Sequence, residues 1–241
     1  MHAGDDLGAL LVRAFEATGL VPQDGDVLAI AQKVVSKSEN RYVLVDTVVP
    51  SEQAVRIARL CKKDPRLVEI VLSETRAVLR TAPDVMIVED SRGLVLANAG
   101  VDRSNVDQDA TGRERVLLLP VDPDASAARL RESLAAFCGV DIGVIINDSL
   151  GRAWRLGTVG VAIGVAGLPG LFDRRGEKDL QGRPLLTTEV GMADELAAAA
   201  SAVMGQGSEG RPAVLIRGVP WPRRNGSGKE LQRSRDRDFF R

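Results

Sequence analysis

The sequence predicts a fold that combines α-helices and β-strands, in the α/β or α+β class. Short runs of aliphatic residues alternate along the chain with longer segments whose apolar residues recur at helical spacing. The chain has 241 residues, of which 44% are hydrophobic, and this composition supports a sizeable core. Because no internal repeat and no linker divides the sequence, we expect a single domain over residues 1–241.

Three helices are predicted in the first third of the chain. Residues 5–18 place three leucines, an alanine and a phenylalanine on one face of an amphipathic helix. A second helix covers residues 50–61. Asp64-Pro65, an N-cap followed by proline at the first helical position, opens a third helix over residues 64–80.

Short apolar runs predict the strands. Residues 85–88 and 94–97 flank a turn and are typical of the two strands of a hairpin. Further strands are predicted at residues 27–31, 116–119, 144–146 and 213–217. Two more helices, one capped by Asp122-Pro123 and one rich in alanine, cover residues 122–138 and 189–204. Residues 168–186 are predicted as a mobile segment near the site, and residues 221–241 as a flexible tail.

Charge and composition exclude several classes of function. The 32 Lys and Arg against 33 Asp and Glu give a net charge of -1, so no overall field attracts nucleic acid or an anionic membrane. Five Phe, two Trp and one Tyr are too few for a stacking platform. The acidic amino terminus and the lack of a long apolar run argue against a signal peptide and a membrane span. We therefore expect a soluble cytoplasmic protein.

Histidine and cysteine usage narrows the chemistry. The single histidine, His2, stands next to the start, which disfavours Ser-His-Asp, Cys-His and histidine-rich metal sites. Cys61 and Cys138 are far apart in apolar surroundings, so neither a disulfide framework nor a zinc site is indicated. The remaining groups suit a reaction governed by a metal ion and electrostatic positioning, as in phosphoryl transfer.

The stretch IGVIINDSLGRAWRLGTVGVAIG carries the strongest local signal. A buried strand hands polar residues to a glycine-punctuated basic loop. These residues are Asn147, Asp148, Ser149, Arg152 and Arg155. Carboxylate and hydroxyl oxygens suit Mg²⁺ or Mn²⁺, and the arginines would face the oxyanions that such a metal holds. An ordinary strand exit with a solvated aspartate and two surface arginines fits the same residues.

Polar residues also follow the strand at 27–31, in the predicted loop QKVVSKSEN. There Lys37 would neutralise a nucleotide phosphate, and Gln32 or Ser36 would hydrogen-bond to a ligand. A solvated loop lysine is the alternative.

A second turn with polar side chains follows the strand at 94–97. Asp102 and Asn105 lie beyond Gly100, and a tight turn there would aim a carboxylate and an amide at one ligand. An Asx turn is the alternative use of the same residues.

Gly205, Gly207 and Gly210 satisfy the GxGxxG spacing. A helix precedes them and a strand follows, whereas a Rossmann fingerprint needs the opposite order, so we reject an NAD site. A P-loop is excluded because no GxxxxGK[ST] sequence occurs. We retain the expectation that the amides of this turn and Gln206 contact a nucleotide.

Five separate motifs lie along the chain. They are GDVLAIAQKVVSKSENR, VLANAGVDRSNV, GVIINDSLGRAWRLGTVGVAIG, RRGEKDLQGRPL and VMGQGSEGRPAVLIRG. In this order and spacing, over almost the whole chain, they closely resemble the coenzyme F420-0:L-glutamate ligase family. The resemblance implies an unusual α/β fold of two intertwined subdomains, with mixed sheets and flanking helices, that works as a homodimer.

The resemblance also implies an activity. Members of the family add L-glutamate, first and further γ-linked residues, to coenzyme F420-0 in a GTP- and metal-dependent reaction through an acyl phosphate. The implied cofactors are Mg²⁺ or Mn²⁺ at two sites, GTP as co-substrate and K⁺ as an optional cation.

Matching the motifs position by position assigns roles to single residues. Asp102 and Asp148 match the carboxylates of one metal site, and Ser149 with Gln206 matches a second. The residues that match nucleotide contacts are Gln32, Lys37, Asn105, Gly205, Gln206, Gly207, Ser208 and Glu209. As catalytic residues, Arg152 and Arg155 would hold the acyl phosphate or the substrate phosphodiester.

The sequence departs from the family pattern at its ends. Family members usually carry a strand and loop ahead of the first helix that helps to hold the nucleotide, so we expect part of the guanine or ribose contact to be missing. Some relatives carry a carboxy-terminal nitroreductase-like domain that binds flavin. This sequence ends before any such domain, and we expect no flavin chemistry.

Two other functions fit the same motifs. One is a carboxylate-amine ligase of the same chemistry that acts on another phosphorylated acid. The other is a nucleotide-binding protein without catalysis.

Overall fold

The computed structural model describes residues 1–239, and the two residues of the predicted tail beyond them lie outside that range. The helices are α1 (Leu7–Thr18), α2 (Gln32–Ser38), α3 (Glu52–Cys61), α4 (Pro65–Ser73), α5 (Pro123–Cys138) and α6 (Met192–Met204). The strands are β1 (Val27–Ala31), β2 (Tyr42–Leu44), β3 (Thr75–Ala82), β4 (Val85–Asp90), β5 (Val95–Ala97), β6 (Arg115–Leu117), β7 (Gly143–Arg152), β8 (Arg155–Ala166), β9 (Phe172–Asp173), β10 (Glu189–Val190) and β11 (Ala213–Ile216). The mixture of helices and sheets confirms the predicted fold class.

A mixed four-stranded sheet forms the centre of the molecule, with the strand order β11-β1-β7-β8. β1 runs parallel to β7 and antiparallel to β11, and β7 runs antiparallel to β8. The parallel register sets Ala31, the last residue of β1, opposite Asn147. The start of α2 therefore lies beside the polar residues of β7.

Successive residues of a strand point to opposite sides of the sheet. Because both sides carry apolar residues here, helices cover both faces. One face packs against α1 and α5 through the buried residues Leu11, Phe15, Leu28, Ile30, Leu134, Val144 and Ile146. The other face packs against α6 through Val27, Ala29, Ile145, Ala162, Met192, Leu196 and Ala197. The sheet is thus buried on both sides, which holds its strand ends in fixed positions.

A second structural unit is built from the chain between α2 and α5. It contains the antiparallel sheet β3-β4-β5, the pair β2-β6 and the helices α3 and α4. Its core includes Ala58, Cys61, Val68, Met86 and Val88. The isolated backbone pairing of Asp102 with Leu117 fixes the turn after β5 against β6.

A charge network within this unit links the start of β2, the end of α4 and the turn after β4. Glu74 pairs with Arg41 at 2.8 Å and with Arg92, and Arg92 also pairs with Asp90 at 2.8 Å. Arg41 and Arg92 in addition donate to the carbonyl oxygens of Leu119 and Pro120 respectively. One carboxylate therefore ties two arginines from distant parts of the chain.

The helix predicted over residues 64–80 is too long. α4 ends at Ser73, and Thr75–Ala82 forms β3, which pairs with β4 with two register shifts. The sequence TRAVLRTA suits a strand as well as a helix, and the tertiary pairing decides between them. The prediction of a loop over residues 32–38 is also wrong, since that segment is the short helix α2.

The basic loop predicted after Ser149 is instead a continuation of the strand. β7 runs on to Arg152 and turns tightly through Ala153 and Trp154, where the φ angle of Trp154 is 64°, into β8. The two strands form a long hairpin whose outer half is exposed. The predicted polar exit is thus part of a paired strand, with register shifts between Ile146 and Asn147 and between Gly151 and Arg152.

The two segments predicted to be irregular are tied to the rest of the molecule. Within residues 168–186, β9 pairs with the later strand β10 and Lys178 forms a bridge with Pro184. In the tail, Glu230 accepts hydrogen bonds from the backbone of Gly170 and Leu171, and Arg235 pairs with Glu89 at 2.6 Å. Among residues 1–239 we find no helix that is both long enough and apolar enough to cross a membrane.

Candidate active site

A cavity of about 510 Å³ opens at the end of β1. Its walls come from α2, the turn after β5, the middle of β7 and the turn between α6 and β11. These elements meet because β1 and β7 are parallel neighbours and α6 packs across the same sheet. The cavity therefore lies where four distant parts of the sequence converge.

All of the residues that the motifs match to metal or nucleotide contacts line this cavity. They are Gln32, Lys37, Asp102, Asn105, Asp148, Ser149, Gly205, Gln206, Gly207, Ser208 and Glu209. The predicted segment 168–186 contributes no described residue to its lining.

Arg152 and Arg155 do not line the cavity. They face each other at the tip of the β7-β8 hairpin, and Arg152 contacts the carbonyl oxygen of Gly157 at 3.4 Å. Because a strand advances about 3.3 Å per residue, four residues beyond Asp148 carry Arg152 well past the cavity. This placement does not support a phosphate-binding role for these two arginines within one chain.

α2 brings two lysines to the cavity wall. This helix begins directly after β1. Lys33 and Lys37 have the i, i+4 spacing in it, so they lie one helical turn apart on the same face. Lys37 donates to the carbonyl oxygen of Asn105 at 2.7 Å. Gln32, at the start of α2, is buried, and its Oε1 accepts a hydrogen bond from Ser36 at 2.9 Å.

Asp102 is held by both a cation and its own turn. Its Oδ2 lies 2.6 Å from the Lys33 ammonium, and its Oδ1 accepts hydrogen bonds from the backbone and hydroxyl of Ser104. Burial raises the pKa of Asp102, but the hydrogen bonds from Lys33 and Ser104 outweigh it and leave the pKa below its usual value. The Asx turn and the cavity-facing carboxylate therefore occur together.

Asp148 has the opposite electrostatic balance. Burial raises its pKa to about 6, and hydrogen bonding to the backbone of Ser149 and the charge of Lys33 only partly offset this effect. The nearby charge of Asp102 raises the pKa further. A cation bound beside this carboxylate would lower its pKa, because a nearby positive charge favours the ionised form.

The turn after α6 closes the cavity with backbone amides. Gly205 has a φ angle of 79°, which favours glycine, and a Cβ there would displace the Glu209 carboxylate, whose carbon would lie 2.2 Å away. Glu209 accepts from the amide of Gly207 at 2.8 Å, and Asn105 donates to the Gly207 carbonyl at 3.2 Å. The turn is thereby joined to the turn that carries Asp102.

The chemistry of the donor set fits a divalent cation with hard oxygen ligands. Two carboxylates, a hydroxyl and an amide face one cavity, on Asp102, Asp148, Ser149 and Gln206. The Oδ1 atom of Asn147, also in the lining, is buried without a hydrogen-bond partner. No group of three or more His, Cys, Asp or Glu suited to a metal occurs within the described part of the chain.

Among the polar residues of this lining, sequence reasoning left Lys33, Asn147, Ser201 and Arg211 without a role. Lys33 and Asn147 stand beside assigned residues, and the helical spacing of Lys33 and Lys37 would have signalled a shared face had α2 been predicted. Ser201 lies in α6 and also lines the cavity. Its sequence context, an alanine-rich helix, carries no signal of a site.

Comparisons with known proteins agree with the motifs. A family model described as F420-0:Gamma-glutamyl ligase matches residues 1–218. The chain is 48% identical over 219 residues to a protein of Methanococcus maripaludis strain C7. The aligned residues make up 91% of this chain and 86% of that relative. That protein is named Coenzyme F420:L-glutamate ligase.

Two further relatives carry the same name. The protein of Methanothermobacter thermautotrophicus is 47% identical over 241 residues, covering 99% of this chain and 94% of its own length. The protein of Methanopyrus kandleri is 46% identical over 245 residues, covering all of this chain and 93% of its own. The match to the family model and the extent of these similarities show that the chain belongs to the F420-0:gamma-glutamyl ligase family.

Proposed function

We propose that this protein is a ligase that joins L-glutamate to coenzyme F420-0 and uses GTP and a divalent cation to do so. Family membership supports the ligase activity and the two substrates. The observation that carries the GTP and metal requirement is the cavity in which Asp102 and Asp148 face Lys33 and Lys37. The two carboxylates would bind cations, and the two ammonium groups would pair with phosphates. A nucleoside triphosphate with its metal ions needs both kinds of group.

Four residues would hold the cations. Asp102 and Asp148 would bind one ion, and Ser149 with Gln206 would bind a second. Mg²⁺ or Mn²⁺ bound here would neutralise the phosphate charge that develops during phosphoryl transfer. K⁺ is a further cation in this proposal.

The nucleotide would lie along the walls formed by α2 and the glycine turn. Lys37 reaches the cavity, and its ammonium would pair with a phosphate. The amides of residues 205–209 and the side chains of Gln32 and Asn105 would orient the rest of the nucleotide. Because these groups belong to fixed turns and a helix, they would hold the γ-phosphate without reorganisation.

The reaction we propose has two steps. A carboxylate oxygen of F420-0 attacks the γ-phosphorus of GTP, the bond to the bridging oxygen breaks, and GDP leaves. The amine of glutamate then attacks the acyl carbon, phosphate leaves with the electron pair of the carbon–oxygen bond, and the amine loses a proton. Lys33 and Lys37 would stabilise the negative charge on the transferred phosphate.

We further propose that the protein is a cytoplasmic homodimer. The β7-β8 hairpin and the segment between β9 and β10 carry exposed apolar side chains, with Leu156 99% and Leu186 78% exposed. A second copy of the chain packed against these leucines would remove their apolar surface from water.

The experiment that tests the activity combines F420-0, L-glutamate, GTP and Mn²⁺ or Mg²⁺ with the purified protein. We expect phosphate release and a product heavier by one or more glutamyl units, and both should be lost in Asp148→Asn. Asp84→Asn is the matched control, because Asp84 lies in a turn with a φ angle of 66° that asparagine also adopts. Unchanged F420-0 in the wild-type reaction would contradict the proposal.

A further inference from the structure

Gln206 is held at one end of its amide group. Its Nε2 donates a hydrogen bond to the hydroxyl of Ser201 at 2.6 Å. Ser201 lies in the last turns of α6 and is 7% exposed, whereas Gln206 belongs to the turn that follows the helix. Both residues line the cavity.

In the structure this hydrogen bond uses the nitrogen end of the amide. A glutamine amide has two donors on nitrogen and an acceptor on oxygen, and the two ends exchange by a half-turn of the last side-chain bond at almost unchanged shape. With Nε2 committed to Ser201, Oε1 is the end that remains available to a ligand. Only the oxygen end can bind a cation, so the orientation matters for the site.

Close packing holds Ser201 in place. Gly160 of β8 lies directly beneath α6, where an added Cβ would be 2.4 Å from the carbonyl oxygen of Ala197 and 2.6 Å from the Cβ of Ser201. The helix therefore rests on the strand with no room for a side chain between them. The contact between α6 and β8 therefore fixes the position of the Ser201 Cβ.

On the opposite wall of the cavity a serine also hydrogen-bonds to a glutamine, but at the oxygen end of the amide. Gln32 accepts a hydrogen bond from Ser36 at its Oε1, which leaves Nε2 as the available end. Each glutamine amide thus contacts a serine hydroxyl, and the ends left over are the oxygen of Gln206 and the nitrogen of Gln32.

We propose that Ser201 is a positioning residue that holds Gln206 with its carbonyl oxygen toward the cavity and thereby sets the affinity for a divalent cation. The inference rests on the proposed function only in taking Gln206 as a cation ligand. Groups that orient metal ligands typically contribute 10- to 100-fold to metal affinity, although they do not touch the ion.

The test measures Mn²⁺ binding to the full-length protein in the presence of GDP, by electron paramagnetic resonance, so that no turnover is needed. We expect Ser201→Ala to weaken Mn²⁺ binding about tenfold or more. Ser73→Ala is the control, because Ser73 is likewise a serine near the end of a helix with a hydrogen-bonded hydroxyl, which donates to the Ile70 carbonyl, but it lies outside the cavity lining. Equal Mn²⁺ affinity in Ser201→Ala and wild type would overturn the proposal.

A double-mutant cycle separates orientation from loss of folding. In Gln206→Glu both terminal atoms are oxygens, so rotation of the group no longer changes what it presents to a cation. We expect Ser201→Ala to have little effect on Mn²⁺ affinity when added to Gln206→Glu. An equal loss in both backgrounds would show that Ser201 acts by another route and would overturn the proposal.

The same measurements distinguish this proposal from the proposed function. A wild-type protein that forms glutamylated product and binds Mn²⁺, with an unaffected Ser201→Ala variant, contradicts only the positioning role. A wild-type protein that binds no Mn²⁺ contradicts the metal-dependent function, and the positioning role with it.

Discussion

The ammonium group of Lys33 lies 2.6 Å from Oδ2 of Asp102, and the same lysine lowers the pKa of Asp148 through its charge. One cation from α2 thus serves two carboxylates that are distant in sequence and face a common cavity. The pKa of Asp102 falls below its usual value, whereas that of Asp148 rises to about 6. The two carboxylates differ because Asp102 has a hydrogen-bonded cation and Asp148 has burial without one.

Replacing Lys33 by glutamine is expected to raise the pKa of Asp102, since the variant loses the ammonium group that hydrogen-bonds to that carboxylate. Carboxylate-detected NMR titration of the metal-free protein measures this change directly. Lys178→Gln provides a control with an exposed lysine outside the cavity lining. A pKa of Asp102 that is the same in all three proteins would refute the role given to Lys33.

Asp148→Asn should stabilise the metal-free protein at neutral pH. A carboxyl whose pKa rises to about 6 on folding is ionised at a free-energy cost above that pH, and the variant removes the cost. We expect a gain of about 1–2 kcal/mol in the free energy of unfolding at pH 7.5, because partial exposure screens part of the effect. The gain should shrink as the pH falls through 6 toward 4, where the native carboxyl is protonated.

Urea denaturation with a chelator present, at pH 7.5 and pH 4.5, measures both values. Mn²⁺ and GDP should then reverse the order of stability, because only the wild type gains from binding the cation. A variant less stable than the wild type at pH 7.5 without metal would mean that burial of this carboxylate carries no such cost.

Gly160→Ala is expected to destabilise the protein by about 1–3 kcal/mol, because the added methyl group meets the backbone of α6 and overpacking cannot relax there. Gly151→Ala, in the neighbouring strand, adds the same methyl group where nothing lies within 4 Å. Thermal unfolding of the two variants should therefore separate them clearly. Similar melting temperatures would show that α6 can move away from the sheet at little cost.

Glu74→Gln should cost roughly 3 kcal/mol of folding free energy, since it removes the charge that Arg41 and Arg92 share in a largely buried setting. The matched change, Glu52→Gln, affects a side chain that is 97% exposed and pairs with Arg56 at 3.8 Å, and should cost almost nothing. Chemical denaturation of both variants measures the difference, which should fall if Glu74 is replaced together with Arg92.

The homodimer is tested by light scattering of the purified protein, whose single chain has a mass of 25.8 kDa. We expect about twice that mass for the wild type. Leu156→Asp, on the hairpin arm, should shift the protein toward the monomer mass because it places a charge on an apolar interface. Leu60→Asp changes an exposed leucine on α3 and should leave the mass unchanged. A monomeric wild type would contradict the proposal.

The sequence predicted best those elements whose boundaries carry their own chemical signals. Aspartate caps and glycine ends mark α1 and α5, and the structure shows Asp6 and Asp122 accepting from the helix backbone at these positions. The α4–β3 boundary lacks such a signal, because Glu74 suits a helix interior and β3 is defined by pairing with β4. Tertiary context decided that boundary.

For the site, the polar residues at strand ends were predictable, but their arrangement was not. Asp102 and Asp148 were recognisable as oxygen ligands from their positions after apolar runs. The long β7-β8 hairpin removed Arg152 and Arg155 from the cavity because the ladder continues past Ser149. Ser201 could not be found from sequence, since its role depends on how α6 packs against β8.

The position of β1 at the interior of the central sheet bears on how the protein is made. Val27 pairs with Gly143 on one side and with Ile216 on the other, so its two neighbours are synthesised long after it. On the ribosome, this early apolar strand must wait unpaired while the unit between α2 and α5 emerges, and pairings so distant in sequence form slowly. The cavity cannot form until the turn at Gln206 has left the exit tunnel, so the site is among the features of the central sheet that are completed after synthesis of α6.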